Sequence, residues 1–383
     1  MRQIVFINST SDTFTPTHSG AFSTWIWELC QCASKHGVEP LVITKTYGIE
    51  PYPWKRTVLL EYPKLAPIRG MGRLFEIEKR ITGWGHPRQR AYIRGIERAI
   101  VEARAEEAAL VLNNDIELAV FLRDRFPRAY VLHNAQNCNP CSNRFRARFA
   151  ASVSRATAVS RACAAWNEEY FGFKPGGIAT LYNGVNCEEY SPADVVPPGP
   201  IRINFVGRTG PEKGPDLLLK AALKLAKHHK EFELQILGSN HFGHNQMDEF
   251  QKCLAELIEE VRAAGITVDA PGFINRSELP QWLRRAHIHV MPSRWDEPFG
   301  LATVEGMACG LPTVAANVGG IPEIVGECGF LFERDDVDQL AAHLDRLLSD
   351  ADLREEYGKL GRERALCFTW DRVWSRLVEL IDA

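Results

Sequence analysis

The sequence predicts an α/β protein built from two doubly wound, Rossmann-like parallel-sheet domains that face each other across a cleft. The chain has 383 residues, and a single hydrophobic core rarely grows beyond about 250–300 residues. Short apolar runs alternate with amphipathic helical stretches, which is typical of βαβ units and a parallel sheet. This alternation is interrupted near residue 191 and then starts again, so two successive α/β units are expected.

The composition is that of a soluble globular protein, with 45% hydrophobic and 24% charged residues. The formal net charge of -3 predicts no strong attraction to nucleic acid. The opening residues, MRQIVFINST, lack the layout of a signal peptide, and no apolar run reaches the roughly 18 residues of a membrane span. We therefore expect a cytoplasmic protein that binds no nucleic acid.

The first part of the chain, residues 1–191, is expected to form the N-terminal domain. After Gly20, apolar residues such as Phe22 and Ile26 recur on one helical face, and Gly37 is a suitable C-cap. The stretch SPADVVPPGP, which begins at Ser191, is rich in proline and has no periodicity, so it predicts a linker. The apolar runs predict strands at residues 3–8, 40–44, 110–113, 130–132, 156–159 and 178–181.

The pattern repeats in residues 192–366, which are expected to form the C-terminal domain. Asp216 can cap a helix that ends near residue 229, and a later helix begins at Leu301 and is stopped by Gly310. Predicted strands lie at residues 201–206, 232–237, 267–269, 288–291 and 313–316.

A cationic, glycine-rich motif, GRTGPEKG, directly follows the strand at residues 201–206. Ligands of doubly wound sheets bind beyond the carboxyl ends of the strands, so this place is a candidate site. Gly207 permits a close backbone approach, and Arg208 and Lys213 add two cations that suit a diphosphate. Taken alone, the motif fits a surface turn with two solvated cations equally well.

A second motif, DEPFGLATVE, follows a later strand and leads into a helix. The helix N-terminus offers the backbone N–H groups of Phe299, Gly300 and Leu301 to an anion. Glu297 precedes the helix and Glu305 lies more than a turn inside it, where their carboxylates could accept hydrogen bonds from sugar hydroxyls. Alone, these glutamates also fit a helix-start anion and a solvated helix residue. Both motifs together predict a site for a sugar joined to a diphosphate.

On these motifs the sequence resembles the family 4 retaining glycosyltransferases, which have the GT-B fold. FVGRTGPEKGPDLLLKAA and EPFGLATVEGMACGLPTVA are similar to the family's diphosphate loop and Glu-x7-Glu motif, and AVSRACAAW and LYNGVNCEEYSP resemble segments that close the first domain. The family often has two adjacent glycines where this chain has Ser19 and Gly20. In the resembled fold, a final helix such as the amphipathic segment 367–383 crosses back onto the first domain.

The resemblance implies a role for each matching residue. Arg208 and Lys213 would bind the donor diphosphate. Glu297 would contact the transferred sugar, and Glu305 would hold the ribose. His133, after a predicted strand in YVLHNAQN, would face the donor sugar, although it also fits an ordinary loop histidine. Further donor contacts are implied for Gly20, Gly207, Gly272, Phe273, Ile274, Phe299, Gly300 and Leu301.

The implied reaction is retaining transfer of a hexosyl group from a UDP- or GDP-linked donor to an acceptor hydroxyl. Fixed cations would carry the charge of the leaving diphosphate, so neither a cofactor nor a metal is expected. The CxxC of Cys138 and Cys141 lacks a second pair of ligands nearby, which argues against a metal site there. Front-face attack assisted by the leaving phosphate is expected, with Glu297 gripping a hydroxyl rather than acting as a nucleophile.

The sequence leaves the acceptor open among glycans, lipid-linked molecules and small molecules. Residues 142–161 contain five arginines and no acid, with Phe145 and Phe149 among them. Such a segment could touch anionic lipid headgroups at the inner face of a membrane, or an acidic acceptor, but a solvated helix face also explains it.

Other functions stay open. A nucleotide-sugar 2-epimerase shares the GT-B fold, although the EPFGLATVE layout argues against it. A non-catalytic protein that binds nucleotide sugars would also have this fold, although the retained charges of both motifs speak against it. A glycan phosphorylase, in which phosphate replaces the nucleotide, is a weaker alternative.

Overall fold

The chain divides into two compact units, described here from a computed structural model. Unit 1 comprises Met1–Asn183 together with Trp370–Ala383, and unit 2 comprises Gly184–Thr369. Both are α/β units with a parallel sheet, as the sequence predicted. The structure describes residues 2–9, 12–16, 20–45, 48–61, 87–195, 198–239 and 248–383.

Within these described residues, the sheet of unit 1 consists of parallel strands β1 (Ile4–Ile7), β2 (Leu41–Lys45), β3 (Thr57–Leu60), β4 (Ala109–Asn113), β5 (Tyr130–Ala135), β6 (Arg155–Ala158) and β7 (Ala179–Thr180). Their spatial order is β3-β2-β1-β4-β5-β6-β7, so the strand order reverses between β1 and β4. Such a switch point is where ligands bind to doubly wound sheets.

Helices cover both faces of this sheet, so its strands are apolar on both sides. The helices are α1 (Ala21–Lys35), α2 (Pro87–Glu102), α3 (Ile116–Arg125), α4 (Asn143–Ser152), α5 (Arg161–Phe171) and the chain's last helix, α13 (Trp370–Asp382). Ile4 and Phe6 share a core with the buried residues of α1 and α13. On the other face, Val5 and Ile7 pack with residues of α2, α3 and α4. Phe145 and Phe149 belong to this second core. These two rings are therefore not exposed at the surface of the segment 142–161.

Unit 2 has a parallel sheet of strands β8 (Ile201–Val206), β9 (Phe232–Leu237), β10 (Thr267–Gly272), β11 (Ile288–Met291), β12 (Thr313–Ala316) and β13 (Phe330–Phe332). The order β10-β9-β8-β11-β12-β13 places its switch point between β8 and β11. Its helices are α6 (Pro215–Leu225), α7 (Glu249–Ala263), α8 (Leu279–Arg284), α9 (Leu301–Ala308), α10 (Ile321–Val325), α11 (Val337–Ser349) and α12 (Ala351–Ala365).

Several elements differ from the sequence prediction. Strand β5 continues through Ala135, so His133 lies inside a strand rather than after one. Helix α6 starts at Pro215 behind Gly214, whose left-handed backbone (φ +65°) forms the cap, and Asp216 is therefore not the cap. Strands β3 and β13 were not predicted because the first is only half-buried and the second has three residues.

The segment after Asn183 belongs structurally to unit 2, earlier than the expected boundary at residue 191. Arg362 on α12 explains this, because its guanidinium donates to the carbonyl oxygens of Cys187 at 2.9 Å and Tyr190 at 2.8 Å. At the other end, Tyr130 donates from its hydroxyl to the carbonyl oxygen of Leu380, which ties α13 to unit 1. Among the described helices, none is both long and apolar enough to cross a membrane.

Candidate functional site

The charged motifs meet at the carboxyl edge of the unit 2 sheet, at its switch point. The β8 loop (residues 207–214) follows β8, and the β11 loop (residues 292–300) follows the neighbouring strand β11. Parallel strands end at the same edge, so two motifs about eighty residues apart in sequence become neighbours. This is the place where the chemistry of a doubly wound sheet is expected.

The two loops are locked together through their backbones. The carbonyl oxygen of Glu212 accepts hydrogen bonds from the backbone N–H groups of Arg294 at 2.9 Å and Trp295 at 3.0 Å. Gly214 approaches the β11 loop so closely that a Cβ at this position would lie 2.0 Å from the carbonyl oxygen of Pro292. Only glycine fits there, and it also provides the required positive φ.

Lys213 and Glu297 form an ion pair across the two loops. The Lys213 Nζ lies 2.5 Å from Glu297 Oε1, and the two side chains are 18% and 8% exposed. The hydroxyl of Ser293 donates to the same carboxylate oxygen at 2.8 Å. The cation predicted for phosphate and the carboxylate predicted for sugar are therefore in direct contact.

Arg294 anchors this arrangement, a role that the sequence analysis missed. Its guanidinium donates two hydrogen bonds to the Asp216 carboxylate, at 2.7 and 2.8 Å, and a third to the carbonyl oxygen of Pro211 at 3.0 Å. Burial alone would raise the pKa of Asp216, but the hydrogen bonds from Arg294 and Lys220 outweigh it and lower that pKa overall. Arg294 on the β11 loop thus connects this loop to the start of α6 and to the β8 loop.

The backbone of Glu297 is fixed by the loop after β12. Gly320 donates from its N–H to the carbonyl oxygen of Glu297 at 2.7 Å. Gly319 has φ +56°, and a Cβ there would lie 2.3 Å from the same oxygen. The sequence signal for this contact was the Gly319–Gly320 pair, which lies shortly after the predicted strand at residues 313–316.

Helix α9 begins at this site with an N-terminus that its own N-cap residue leaves uncapped. The N-cap is Gly300, with φ +104° and no side chain to accept from the first N–H groups of the helix. Phe299 is buried and packs edge-on against Phe368 at 5.8 Å between ring centroids, which fixes the entry into the helix. Leu301 is the first helical residue, so the three predicted amide donors lie together at this N-terminus.

Glu305 is buried on α9 and is paired with a residue that was not predicted. The Arg276 Nη2 donates to Glu305 Oε1 at 2.9 Å. Burial raises the pKa of the Glu305 carboxyl, and the charge and hydrogen bond of Arg276 oppose that increase. Arg276 follows the loop predicted to border the nucleobase, where Gly272 has φ +85° and Phe273 is exposed.

Three other predicted residues lie elsewhere than the Lys213–Glu297 pair: Arg208 in unit 2, and Gly20 and His133 in unit 1. Arg208 is 58% exposed and pairs with Glu212 at 2.9 Å rather than with the Lys213–Glu297 pair. In unit 1, Gly20 donates its N–H to Asp12 at 2.9 Å, so its predicted donor amide is already engaged.

His133 is buried in unit 1, with its ring edge-on to Phe149 at 4.8 Å between centroids. Burial lowers the pKa of His133 to about 3, so the imidazole is neutral at physiological pH. Among the described residues, no group of three or more His, Cys, Asp or Glu side chains could hold a metal ion, and Cys138 and Cys141 are free thiols.

Two parallel-sheet units, each with a doubly wound strand order, define a GT-B fold. Solved structures of similar fold cover the full chain. They include sucrose-phosphate synthase from Thermosynechococcus elongatus, with a TM-score of 0.76, 21% identity and coverage of 100% of this chain and 98% of that one. Another is Anabaena HepE in complex with UDP and glucose, with a TM-score of 0.72, 17% identity and full coverage of both chains.

The chain belongs to the family 4 glycosyltransferases. Residues 22–189 match the family model of glycosyltransferase family 4, and residues 187–364 match that of glycosyl transferases group 1. A curated relative is the D-inositol 3-phosphate glycosyltransferase of Streptomyces bingchenggensis, 32% identical over 220 residues that cover 53% of this chain and 47% of the relative. The match spans about half the length of the curated relatives.

Proposed function

We propose that this chain is a retaining glycosyltransferase that moves a hexosyl group from a UDP- or GDP-linked donor to an acceptor hydroxyl. The observation that carries the proposal is the Lys213–Glu297 pair at the switch point, next to the α9 N-terminus. One cation, one carboxylate and a set of backbone N–H groups are the partners that a sugar diphosphate needs. The UDP complex of HepE, a protein of the same fold, supports a nucleotide-sugar donor.

In the proposed mechanism, the acceptor hydroxyl attacks the anomeric carbon on the face of the leaving group, and negative charge develops on the diphosphate as the bond between that carbon and the phosphate oxygen breaks. The proton of the acceptor hydroxyl passes to this leaving phosphate oxygen. Lys213 and the α9 N–H groups stabilise that charge, and Arg208 turns from Glu212 toward the phosphate. Glu297, oriented by Ser293, accepts a hydrogen bond from a sugar hydroxyl. Lys213, Glu297 and the start of α9 are held in place before the reaction, so little reorganisation of these groups is needed in the transition state.

Because fixed cations carry the phosphate charge, we propose that transfer needs no cofactor and no added metal. An assay in EDTA tests the metal proposal, and restoration of lost activity by Mg²⁺ or Mn²⁺ would refute it.

We also propose a cytoplasmic location with contact to anionic membrane surfaces through exposed arginines of residues 142–161. The charges of this segment are partly engaged within the chain: Arg148 pairs with Asp124 at 2.6 Å, and Arg146 lies over the Tyr170 ring at 4.6 Å. A weak, salt-sensitive contact is therefore expected. Flotation with anionic and neutral liposomes at two salt concentrations tests it, and equal recovery with both lipids would contradict it.

The activity is tested by incubating the protein with UDP- and GDP-hexoses and a panel of glycan, glycolipid and small-molecule hydroxyl acceptors. Release of nucleoside diphosphate that depends on an acceptor, with the anomeric configuration retained in the product, is the expected result. Formation of an epimeric nucleotide sugar without acceptor would instead indicate the 2-epimerase. Donor binding without turnover over the whole panel would indicate a non-catalytic protein.

A further inference from the structure

An ion pair within the chain occupies the carboxylate that the proposed function assigns to the donor ribose. The Arg276 Nη2 lies 2.9 Å from Glu305 Oε1, and the Glu305 side chain is 4% exposed. A carboxylate this deeply buried needs a partner, because burying an isolated charge is strongly unfavourable. Arg276 supplies that partner.

Arg276 is placed so that it can leave the carboxylate again. Its side chain is 40% exposed, ten times the exposed fraction of Glu305. A guanidinium that moves away from the pair can therefore be hydrated at once, whereas the carboxylate stays in the protein interior. When the pair separates, water can therefore replace Glu305 as the partner of Arg276. The Glu305 carboxylate instead needs a new hydrogen-bond donor from the protein or from a ligand.

Tyr190 provides a second, independent observation at the same carboxylate. Its hydroxyl is buried, and no acceptor in the described part of the chain meets ordinary hydrogen-bond geometry. It nevertheless lies close enough to Glu305 for a weak hydrogen bond to that carboxyl. Burial, followed by the Glu305 charge, raises the pKa of Tyr190, so the phenol remains an O–H donor. Buried donors almost always have well-aligned acceptors in native proteins, so this weakly paired hydroxyl points to a second orientation of the carboxylate.

We propose that Arg276 is a placeholder for the ribose hydroxyls of the donor, and that nucleotide binding exchanges the Arg276–Glu305 ion pair for hydrogen bonds from the ribose and from Tyr190 to Glu305. This inference rests on the proposed function. Arg276 is a positioning residue in this scheme, because it keeps Glu305 ionised and in place without touching the reacting atoms.

The exchange has an unusual consequence for nucleotides that lack the ribose 2′-hydroxyl. In the wild-type protein such a nucleotide loses little affinity, because Glu305 simply retains Arg276. Without Arg276, the same nucleotide would cover a carboxylate that has lost its guanidinium partner and gains no 2′-hydroxyl in its place. Removing Arg276 should therefore increase the preference for ribonucleotides, whereas removing a residue that binds the ribose itself would decrease it.

The test is isothermal titration of the full chain with UDP, GDP and their 2′-deoxy forms, at pH 8 because burial raises the pKa of Glu305 and a higher pH favours its ionised form. Arg276→Ala should raise the ratio of deoxy to ribo Kd at least fivefold over wild type. Tyr190→Phe keeps the ring packing and should lower that ratio. Arg285→Ala, which removes an exposed neighbouring cation over the Trp282 ring, should leave it unchanged.

The outcomes separate this inference from the proposed function. If Arg276→Ala weakens both nucleotide forms equally, Arg276 has a purely structural role and the exchange is overturned. A lower ratio in Arg276→Ala, or an unchanged ratio in Tyr190→Phe, also overturns it while leaving the nucleotide site intact. Failure of the wild-type protein to bind either nucleoside diphosphate would remove the proposed function, and this inference with it.

Discussion

The carboxyl edges of the two sheets stabilise their buried carboxylates in different ways. In unit 1, the Asp12 carboxylate accepts hydrogen bonds from the N–H groups of Thr13 at 2.8 Å and Gly20 at 2.9 Å. Its other oxygen accepts from the N–H and the hydroxyl of Ser23 at 3.0 and 2.9 Å. A carboxylate from the chain itself thus accepts N–H groups at the start of α1.

In unit 2, helix α9 likewise begins behind a glycine N-cap, Gly300, so neither helix is capped by the side chain of its own N-cap residue. The carboxylates there are held by the long, flexible cations Lys213 and Arg276. An ion pair with a partly exposed partner can be exchanged for a ligand, whereas backbone hydrogen bonds to a buried Asp cannot be exchanged without disturbing the loop. We therefore expect the edge of unit 1 to contribute to stability and the edge of unit 2 to bind the ligand.

The largest effect is expected from removing Lys213, the cation proposed to bind the leaving diphosphate. Lys213→Ala should lower kcat/KM by roughly 10²–10³, about 3–4 kcal/mol of transition-state stabilisation, because one preorganised partner of the leaving diphosphate is lost. Lys224→Ala is the matched control, since Lys224 lies on α6 and pairs with Asp338 at the surface. Initial rates with the active donor measure the effect. A loss under about threefold in Lys213→Ala would reject its assigned role.

The next effect concerns the close approach of the two loops in unit 2. Gly214→Ala should lower the free energy of unfolding by roughly 2–4 kcal/mol, because the Cβ collides with the Pro292 carbonyl and φ is positive. Gly172 in unit 1 has a similar φ of +72° but nothing within 4 Å of the added Cβ, so Gly172→Ala should cost only about 1 kcal/mol. Urea unfolding of both variants measures the difference. Equal losses would show that φ alone, and not the loop contact, determines the cost.

The sequence predicted the parts of this arrangement that follow from local pattern. Apolar runs located the central strands, and the charges of both motifs fell at strand ends, so the position of Lys213 and Glu297 at one sheet edge could be foreseen. Their direct contact could not, nor could the roles of Arg276 and Arg294. Each of those depends on the register between strands far apart in sequence, which no local pattern records. His133 was misplaced because a polar residue inside an otherwise apolar run looks like the end of a strand.

A smaller effect is expected from the anchor under the β8 loop. Asp216→Asn removes the charge that Arg294 grips and should reduce the free energy of unfolding by about 2 kcal/mol at pH 7. The pKa of Asp216 is lowered in the folded protein, so its contribution is present above the unfolded pKa of about 4 and is lost as the pH falls through the lower folded value. The stability difference between wild type and Asp216→Asn should therefore be constant between pH 5 and 7, by urea titration, and shrink below about pH 4. A difference that persists undiminished at pH 2 would contradict the charge-based anchor.

The smallest effect is expected from Asp12, at the carboxyl edge of the unit 1 sheet. Asp12→Asn retains one acceptor oxygen near the start of α1 but loses the charge, which should cost about 1 kcal/mol of stability. The Kd for the nucleoside diphosphate should change less than twofold, because this carboxylate serves the fold of its own unit. Thermal unfolding and titration of the same preparation measure both quantities. Tighter nucleotide binding by Asp12→Asn would show that Asp12 competes with the donor for the Gly20 amide, and the edge of unit 1 would then be a ligand site as well.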